Sequence, residues 1–310
     1  MKRSTVLGLL SAAPAAPLLA RAARADETLV RMATINIDSG ASPYFAQEAG
    51  FFKEAGLRAE FATFNNGQAI AAAVAGGALD IATSNPVALA AAHARGVPFV
   101  IVAPGALYVS SDPTTVMMVP KDSPIAGPRD LAGKTIACNG INGIPHYCSR
   151  AWIDKNGGDS SGTKFVEMNF AQMMDALGTK HIDAACVTEP YISEARSTGR
   201  AIGTPFDACA PRFMMSVFIA NQAWAQAHQD EVRRFQGAML KVAAWANRNR
   251  DKTAPLLMKF TQLPAETVRT MHRAVFAERW RAAEAQPLVD LTAKYGNVPD
   301  FSIDEMLYRA

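Results

Sequence analysis

The sequence is poor in the features that usually name a chemistry. It holds four cysteines, Cys138, Cys148, Cys186 and Cys209, at spacings that match no zinc or redox motif and include no Cys-x-x-Cys. Zinc ribbons and thioredoxin-like dithiols are thereby excluded. Disulfide pairing stays open, since four cysteines allow three two-bridge connectivities. Cys138 and Cys186 sit in apolar, strand-like runs, where a cysteine behaves as a small hydrophobe. No nucleophile elbow, His-Glu-x-x-His helix or phosphate loop is read in the sequence, which argues against an enzyme of those classes. Beyond the N-terminus no apolar run reaches the roughly 18 residues of a membrane span.

Net charge is scarce too, once the N-terminus is set aside. Met1-Lys2-Arg3, an apolar run at Val6–Leu10 and a small-residue ending, Ala23-Arg24-Ala25, describe a secretory signal peptide cleaved near Ala25. The run is too short, and too broken by prolines, to cross a bilayer. Lys2-Arg3 does not decide between the general and the twin-arginine export route. Removing Lys2, Arg3, Arg21 and Arg24 from the 31 basic residues leaves 27 against 28 acidic, a net charge of −1. A near-neutral mature chain lacks the basic face that a nucleic-acid partner requires. No metal or cofactor is implied by any residue pattern.

What is present is an alternation of short apolar runs and helical stretches. Leu29–Ile35 reads as a strand, followed by a helix with Ser42 as N-cap and Pro43 at its first position. Strands follow at Arg58–Phe64, Leu79–Thr83 and Phe99–Ala103, with helices at Gly67–Ala75 and Pro86–Arg95. The grammar restarts with strands at Thr115–Pro120, Lys134–Cys138, Phe165–Met168 and Ala184–Val187. Helices at Gly143–Asn156, Ala171–Leu177 and Pro190–Ser197 lie between or after them. Such alternation predicts parallel β-α-β units. After the apolar run Phe213–Ala220 the chain is mostly helical. Val232, Phe235, Met239, Val242, Ala243 and Ala246 share one helical face, a core-facing stripe.

The reading is two α/β lobes in a mature chain that follows a signal peptide at 1–25. The first lobe takes residues 26–116 plus 213–310, and the second is inserted as 117–212. Two connecting segments, near 112–116 and 210–215, make a hinge with a cleft between the lobes. In open parallel sheets ligands bind beyond the carboxyl ends of the strands, at helix N-termini. Four turns have that position: Ser42-Pro43-Tyr44, Ser84-Asn85-Pro86, Asn139–Gly143 and Thr188-Glu189-Pro190.

Several stretches here resemble a known family. Ser42-Pro43-Tyr44-Phe45-Ala46 leading to Ala49–Leu57, then Gly77–Ala82, Asp130–Ala137, and Ile182–Ala185 with Glu189-Pro190-Tyr191 are similar to the periplasmic solute-binding proteins of ABC importers for sulfonates, taurine, nitrate and thiamine pyrimidine precursors. The resemblance covers most of residues 29–220, and the C-terminal third matches only as generic helices. It implies the type II periplasmic binding fold, ligand capture by lobe closure and docking on an inner-membrane permease by a monomeric periplasmic protein. Carried over by position, the ligand-facing group is Ser42, Tyr44, Ser84, Asn85, Asn142, Gly143, His146, Glu189 and Tyr191. Tyr108, before the hinge, is a weaker candidate.

Each residue also has a plainer role. Tyr44 beside Phe45 suits core packing, His146 a surface position, and Glu189 the cap of the helix that follows. Arg129 and Arg150 do not form an arginine fork at these turns, which tilts the solute from a fully charged sulfonate toward a heteroaromatic, amino-bearing or weakly anionic one. Two other functions fit the same fold class. One is a ligand-sensing module of a membrane receptor, which would carry a transmembrane segment. The other is a pyrimidine-synthase-like enzyme, which would carry a cysteine-rich iron site. Neither feature is read in this chain.

Overall fold

The computed structural model describes residues 27–64 and 67–309, so the expected signal peptide lies outside the described residues. The strands are β1 Thr28–Thr34, β2 Leu57–Thr63, β3 Ile81–Ser84, β4 Phe99–Pro104, β5 Ala106–Val109, β6 Thr115–Pro120 and β7 Thr135–Cys138. They continue as β8 Lys164–Glu167, β9 Ala184–Thr188, β10 Gly199–Gly203, β11 Arg212–Met214, β12 Val217–Asn221 and β13 Val275–Phe276.

Two five-stranded sheets form the two lobes, ordered β2-β1-β3-β12-β4 and β10-β6-β9-β7-β8. In the first, β1 pairs parallel with β2 and β3, while β12 runs antiparallel to β3 and β4. In the second, β7 pairs parallel with β8 and β9, while β6 runs antiparallel to β9 and β10. The expected parallel β-α-β units are present in both sheets, and β6 and β12 are the strands that run against them. β6 and β12 are the first strands that join each sheet after a crossing. No crossover helix within the same sheet precedes them to impose the parallel direction.

A third, three-stranded antiparallel sheet, β11-β5-β13, joins the crossings. Sequence reading missed β5, which leaves β4 through a single glycine. A Cβ on Gly105 would lie 2.7 Å from the Ser216 carbonyl oxygen, so only glycine lets the two strands pass here. The same contact carries two hydrogen bonds, Gly105 N–H to Ser216 O at 3.0 Å and Ala106 N–H to Ser216 Oγ at 2.8 Å. The apolar run Phe213–Ala220 likewise divides between β11 and β12, in different sheets. The boundary expected at residues 116–117 falls inside β6.

The helix Gln229–Arg248 buries its expected stripe, Val232 through Ala246, against the first sheet. Phe235 stacks on Phe52 at 5.8 Å and meets Phe218 edge-on at 5.4 Å, so the stripe and β12 share one aromatic seam. In the second lobe Cys138, Cys148 and Cys186 are buried and all four cysteines are unpaired. Burial pushes the Cys186 thiol up to about 12, which keeps it protonated and inert.

The helix Ala282–Gly296 ties the lobes together at the back. Leu288 and Leu291 enter the second lobe's core, and Ala285 and Val289 enter the first's. Beside it, Asp207 gathers the hydroxyls of Tyr108 at 2.7 Å, Ser110 and Thr204. Tyr108 is fully buried and its phenol is held well above its usual range, by burial first and then by Asp207. It is thus a structural pin between β5 and the second lobe. Tyr108→Phe is expected to cost about 1–2 kcal/mol, since it removes a bond to a charged acceptor. Urea denaturation should show a lower midpoint at unchanged slope.

Candidate functional site

The carboxyl ends of β1, β3, β7 and β9 converge on one cavity of about 130 Å³ between the two large sheets. From the first sheet's side come Ile35, Ile37, Ser39, Gly40, Thr83, Ser84 and Asn85. From the second come Thr115, Asn139, Gly143, Ile144, Pro145, Phe170, Cys186, Thr188 and Phe206, and Met215 and Ser216 close it at a crossing. The wall is apolar with scattered neutral hydrogen-bonding groups. Three helices, Pro86–His93, Ile144–Lys155 and Phe170–Gly178, begin at it.

Three of the nine residues expected from sequence line this cavity: Ser84, Asn85 and Gly143. Ser84 is 3% exposed and its hydroxyl has no hydrogen-bond partner among the described residues. Asn85 caps the helix Pro86–His93 by accepting the Ala88 N–H at 2.9 Å, which leaves its amide nitrogen free. Gly143 is the N-cap of its helix with no side chain to satisfy the first turn.

The other six lie off the cavity wall, each for a packing reason. Ser42 is not the cap of its helix. Ala41 holds that position, and Ser42 is the first helical residue, buried. Tyr44 turns outward to stack on Phe260 at 4.9 Å, with the Lys259 ammonium 5.9 Å over its ring. Asn142 sits in left-handed backbone, φ 61°, and spends its N–H on His146. Tyr191 stacks at 5.0 Å on Phe170 and so backs the wall rather than forming it. Glu189, 3% exposed, accepts from Ser193 N and Oγ at 3.1 Å each and from the His272 N–H at 3.3 Å. Its carboxylate therefore caps the following helix and reaches across to the C-terminal segment. It does not point into the cleft.

His146 is buried beside Phe165, whose ring centre lies 4.6 Å away, and beside Tyr147. Its Nδ1 accepts the Asn142 N–H at 3.0 Å, which puts the neutral ring's proton on Nε2. Burial, with Arg150 a smaller contributor, lowers its pKa to about 4. The unfolded chain, near 6.5, binds a proton that the fold refuses between those values. Stability is therefore complete above about pH 6.5 and falls as pH drops toward 4, on the order of 3 kcal/mol in all. His146→Gln is expected to flatten that part of a stability-against-pH curve, and an unchanged acid slope would count against the assignment.

Sequence reading missed Ser39 and Gly40 although the same rule points to them, because they too follow a strand's carboxyl end. A Cβ on Gly40 would meet the Ile35 carbonyl oxygen and come within 2.8 Å of Thr34 Oγ1, so glycine is required at this turn. Thr188 and Asn139 belong to turns that the rule did mark, whereas Thr115, Phe170 and Phe206 carry no local signal, since the pairing of β6 with β9 and the packing of the second lobe bring them in. One further motif was passed over. Gly158-Asp159-Ser160-Ser161-Gly162 fits Gly-x-Ser-x-Gly, but it is a turn after a helix rather than a strand-to-helix elbow. Ser160 is buried there and donates to Asp154 Oδ2 at 3.1 Å, with no histidine among its partners. Among the described residues no cluster of three or more His, Cys, Asp or Glu is disposed to hold a metal. No helix among them is long and apolar enough to cross a membrane.

Comparison with known proteins follows the same lines. The model of the family described as NMT1/THI5 like matches residues 40–253. No curated protein sequence matches the chain. Among solved structures it is similar to the alkanesulfonate-binding protein SsuA from Xanthomonas axonopodis pv. citri bound to MOPS, at 18% identity and TM-score 0.75, over 91% of this chain and 99% of that one. It is similar to the ligand-binding component of an ABC-type import system from Staphylococcus aureus, at 14% identity and TM-score 0.78, over 91% and 96%. The periplasmic nitrate-binding protein NrtA from Synechocystis PCC 6803 matches at 12% identity and TM-score 0.73, over 90% and 86%. At such identities the likeness is one of fold: the two-lobed α/β architecture of periplasmic binding proteins.

Proposed function

The chain belongs to the NMT1/THI5-like family, and from that premise we propose that it is the extracytoplasmic solute-binding component of an ABC import system. It captures a small organic solute between its lobes and delivers it to a membrane permease, as a monomer and without catalysis. The observation that carries this reading is the cavity itself. Strand ends of two separate sheets supply its two walls, and a movement of one lobe would open or close it. Ser39, Ser84, Asn85, Asn139, Gly143 and Thr188 are the groups that meet the solute. The segments near 112–116 and 210–215 serve as hinge crossings between the two lobes, with the first boundary lying before β6 rather than at 116–117. The leader at 1–25 takes the chain to the periplasm.

Glu189 has a different part from the one its sequence position suggests. From the end of β9 it meets the His272 N–H, while the His272 ring bonds to Asp112 at the first crossing. It holds the two lobes at the rim, outside the cavity. A thermal-denaturation screen of the mature protein against small organic solutes tests the function. A bound solute at a hundred times its dissociation constant adds about 2.7 kcal/mol, a clear upward shift. X-ray scattering should then show a smaller radius of gyration with that solute. Absence of any shift across a broad screen would contradict the receptor reading, and identical scattering profiles would contradict lobe closure.

A further inference from the structure

We propose that the solute is uncharged: a molecule of single-ring size with an apolar body and a neutral hydrogen-bonding head, selected against oxoanions. This rests on the reading of the cleft as the solute site. The cavity wall contains no Arg, Lys, His, Asp or Glu among the described residues. The charged groups nearest to it in sequence are engaged elsewhere. Asp38, between Ile37 and Ser39, is paired with Arg273 at 3.0 Å. Glu189 is spent on Ser193 and His272. Arg150, two turns into the helix Ile144–Lys155, contacts Ser160 and the Tyr295 carbonyl oxygen and lies over the Tyr295 ring. Glu167, at the end of β8, accepts the Ile141 N–H at 3.0 Å. An anion buried in such a wall would give up its water and gain no opposite charge, an unfavourable exchange.

Helix N-termini are the usual substitute for a cationic side chain, and all three at this wall are weakened, the one at Phe170–Gly178 by Asn169, which accepts the Gln172 N–H at 2.9 Å. Asn85 already caps the helix Pro86–His93 through Ala88. The helix Ile144–Lys155 has Pro145 in its first turn, which removes one of its N–H donors. What the wall does offer is the Ser84 hydroxyl, buried and without a partner, which can both donate and accept. That duality suits an amide or a hydroxyl better than a sulfonate, which only accepts. Size sets the rest. A cavity of about 130 Å³ is close to the apolar cavity of about 150 Å³ that takes up benzene, and Phe170, Phe206, Ile144 and Pro145 provide flat and aliphatic contact.

The test is a calorimetric titration of the dialysed mature protein with matched probes. Benzamide and benzyl alcohol are the neutral arm; benzoate, benzenesulfonate and nitrate are the anionic arm. At least one neutral probe should bind at least about tenfold more tightly than every anion, and Ser84→Ala should weaken it about five- to tenfold with an unchanged melting temperature in the unbound state. Equal or tighter binding of an anion overturns the class assignment and leaves the receptor reading standing. Silence from both neutral probes overturns the class as drawn, whether or not another solute raises the melting temperature. Silence from every solute of any charge removes the receptor reading as well.

Discussion

Replacing Arg273 by methionine is expected to cost about 3–5 kcal/mol of stability, read as a fall in melting temperature of roughly 10 °C. Arg273 Nε lies 3.0 Å from Asp38 Oδ2, and both side chains are nearly sealed from water, at 10% and 4% exposure. The same Asp38 carboxylate oxygen accepts the Ala274 N–H at 2.6 Å, and the other oxygen has no partner among the described residues. Asp38 thus already carries one unmet acceptor, and loss of the guanidinium would strand a buried carboxylate. The pair also has a place in the site. Asp38 stands between two cavity-lining residues, Ile37 and Ser39, and ties their turn to the segment before β13. Solute affinity should fall along with stability. Adding Asp38→Asn to the methionine variant should recover part of the loss, because the stranded charge is then gone. A double variant no better than the single one would show that packing of Arg273, rather than charge, is what matters.

Ser39→Trp is expected to abolish solute binding, by about a hundredfold or more, while leaving stability within about 1 kcal/mol. Ser39 is half-buried on the rim of the cavity with no hydrogen-bond partner among the described residues, so its loss breaks nothing. An indole at that place needs more volume than the rim leaves free and would occupy the cavity of about 130 Å³. Gly40, the next residue, would not serve for this purpose, since any side chain there collides with the Ile35 carbonyl. Titration with whichever solute raises the wild-type melting temperature, alongside urea denaturation, separates blocked binding from damaged folding.

Much of the fold is legible in the residues, and the reasons differ by element. β6 can be read in full because six consecutive apolar or β-branched residues lie between Pro113-Thr114 and Lys121. The stripe from Val232 to Ala246 is legible because helical spacing leaves a single apolar face. β5, β10 and β13 are two to five residues long, and β5 and β10 include alanine or glycine. They exist through tertiary pairing, which local propensity does not record. Strand direction was illegible for the same reason: nothing local to β12 says that it enters the first sheet from the opposite lobe.

At the site, the rule about strand ends found the right turns but not the right side chains. Ser84, Asn85 and Gly143 belong to the turns themselves, where backbone position alone brings a residue to the cavity. His146 and Tyr191 are one step further along, and their direction depends on what lies beneath: Phe165 and Tyr147 for the one, Phe170 for the other. Glu189 shows the point most plainly. Its place at a strand end put it in the ligand-facing group, yet Ser193 lies one turn ahead and takes its carboxylate.

One small molecule is expected to occupy the space between the lobes. Native mass spectrometry of the mature protein, exposed to an extract of growth medium and desalted, measures that directly. A single low-mass adduct is expected, one per chain, released on unfolding and missing from Ser39→Trp. A bare wild-type mass after exposure, or the same adduct on both proteins, would contradict it.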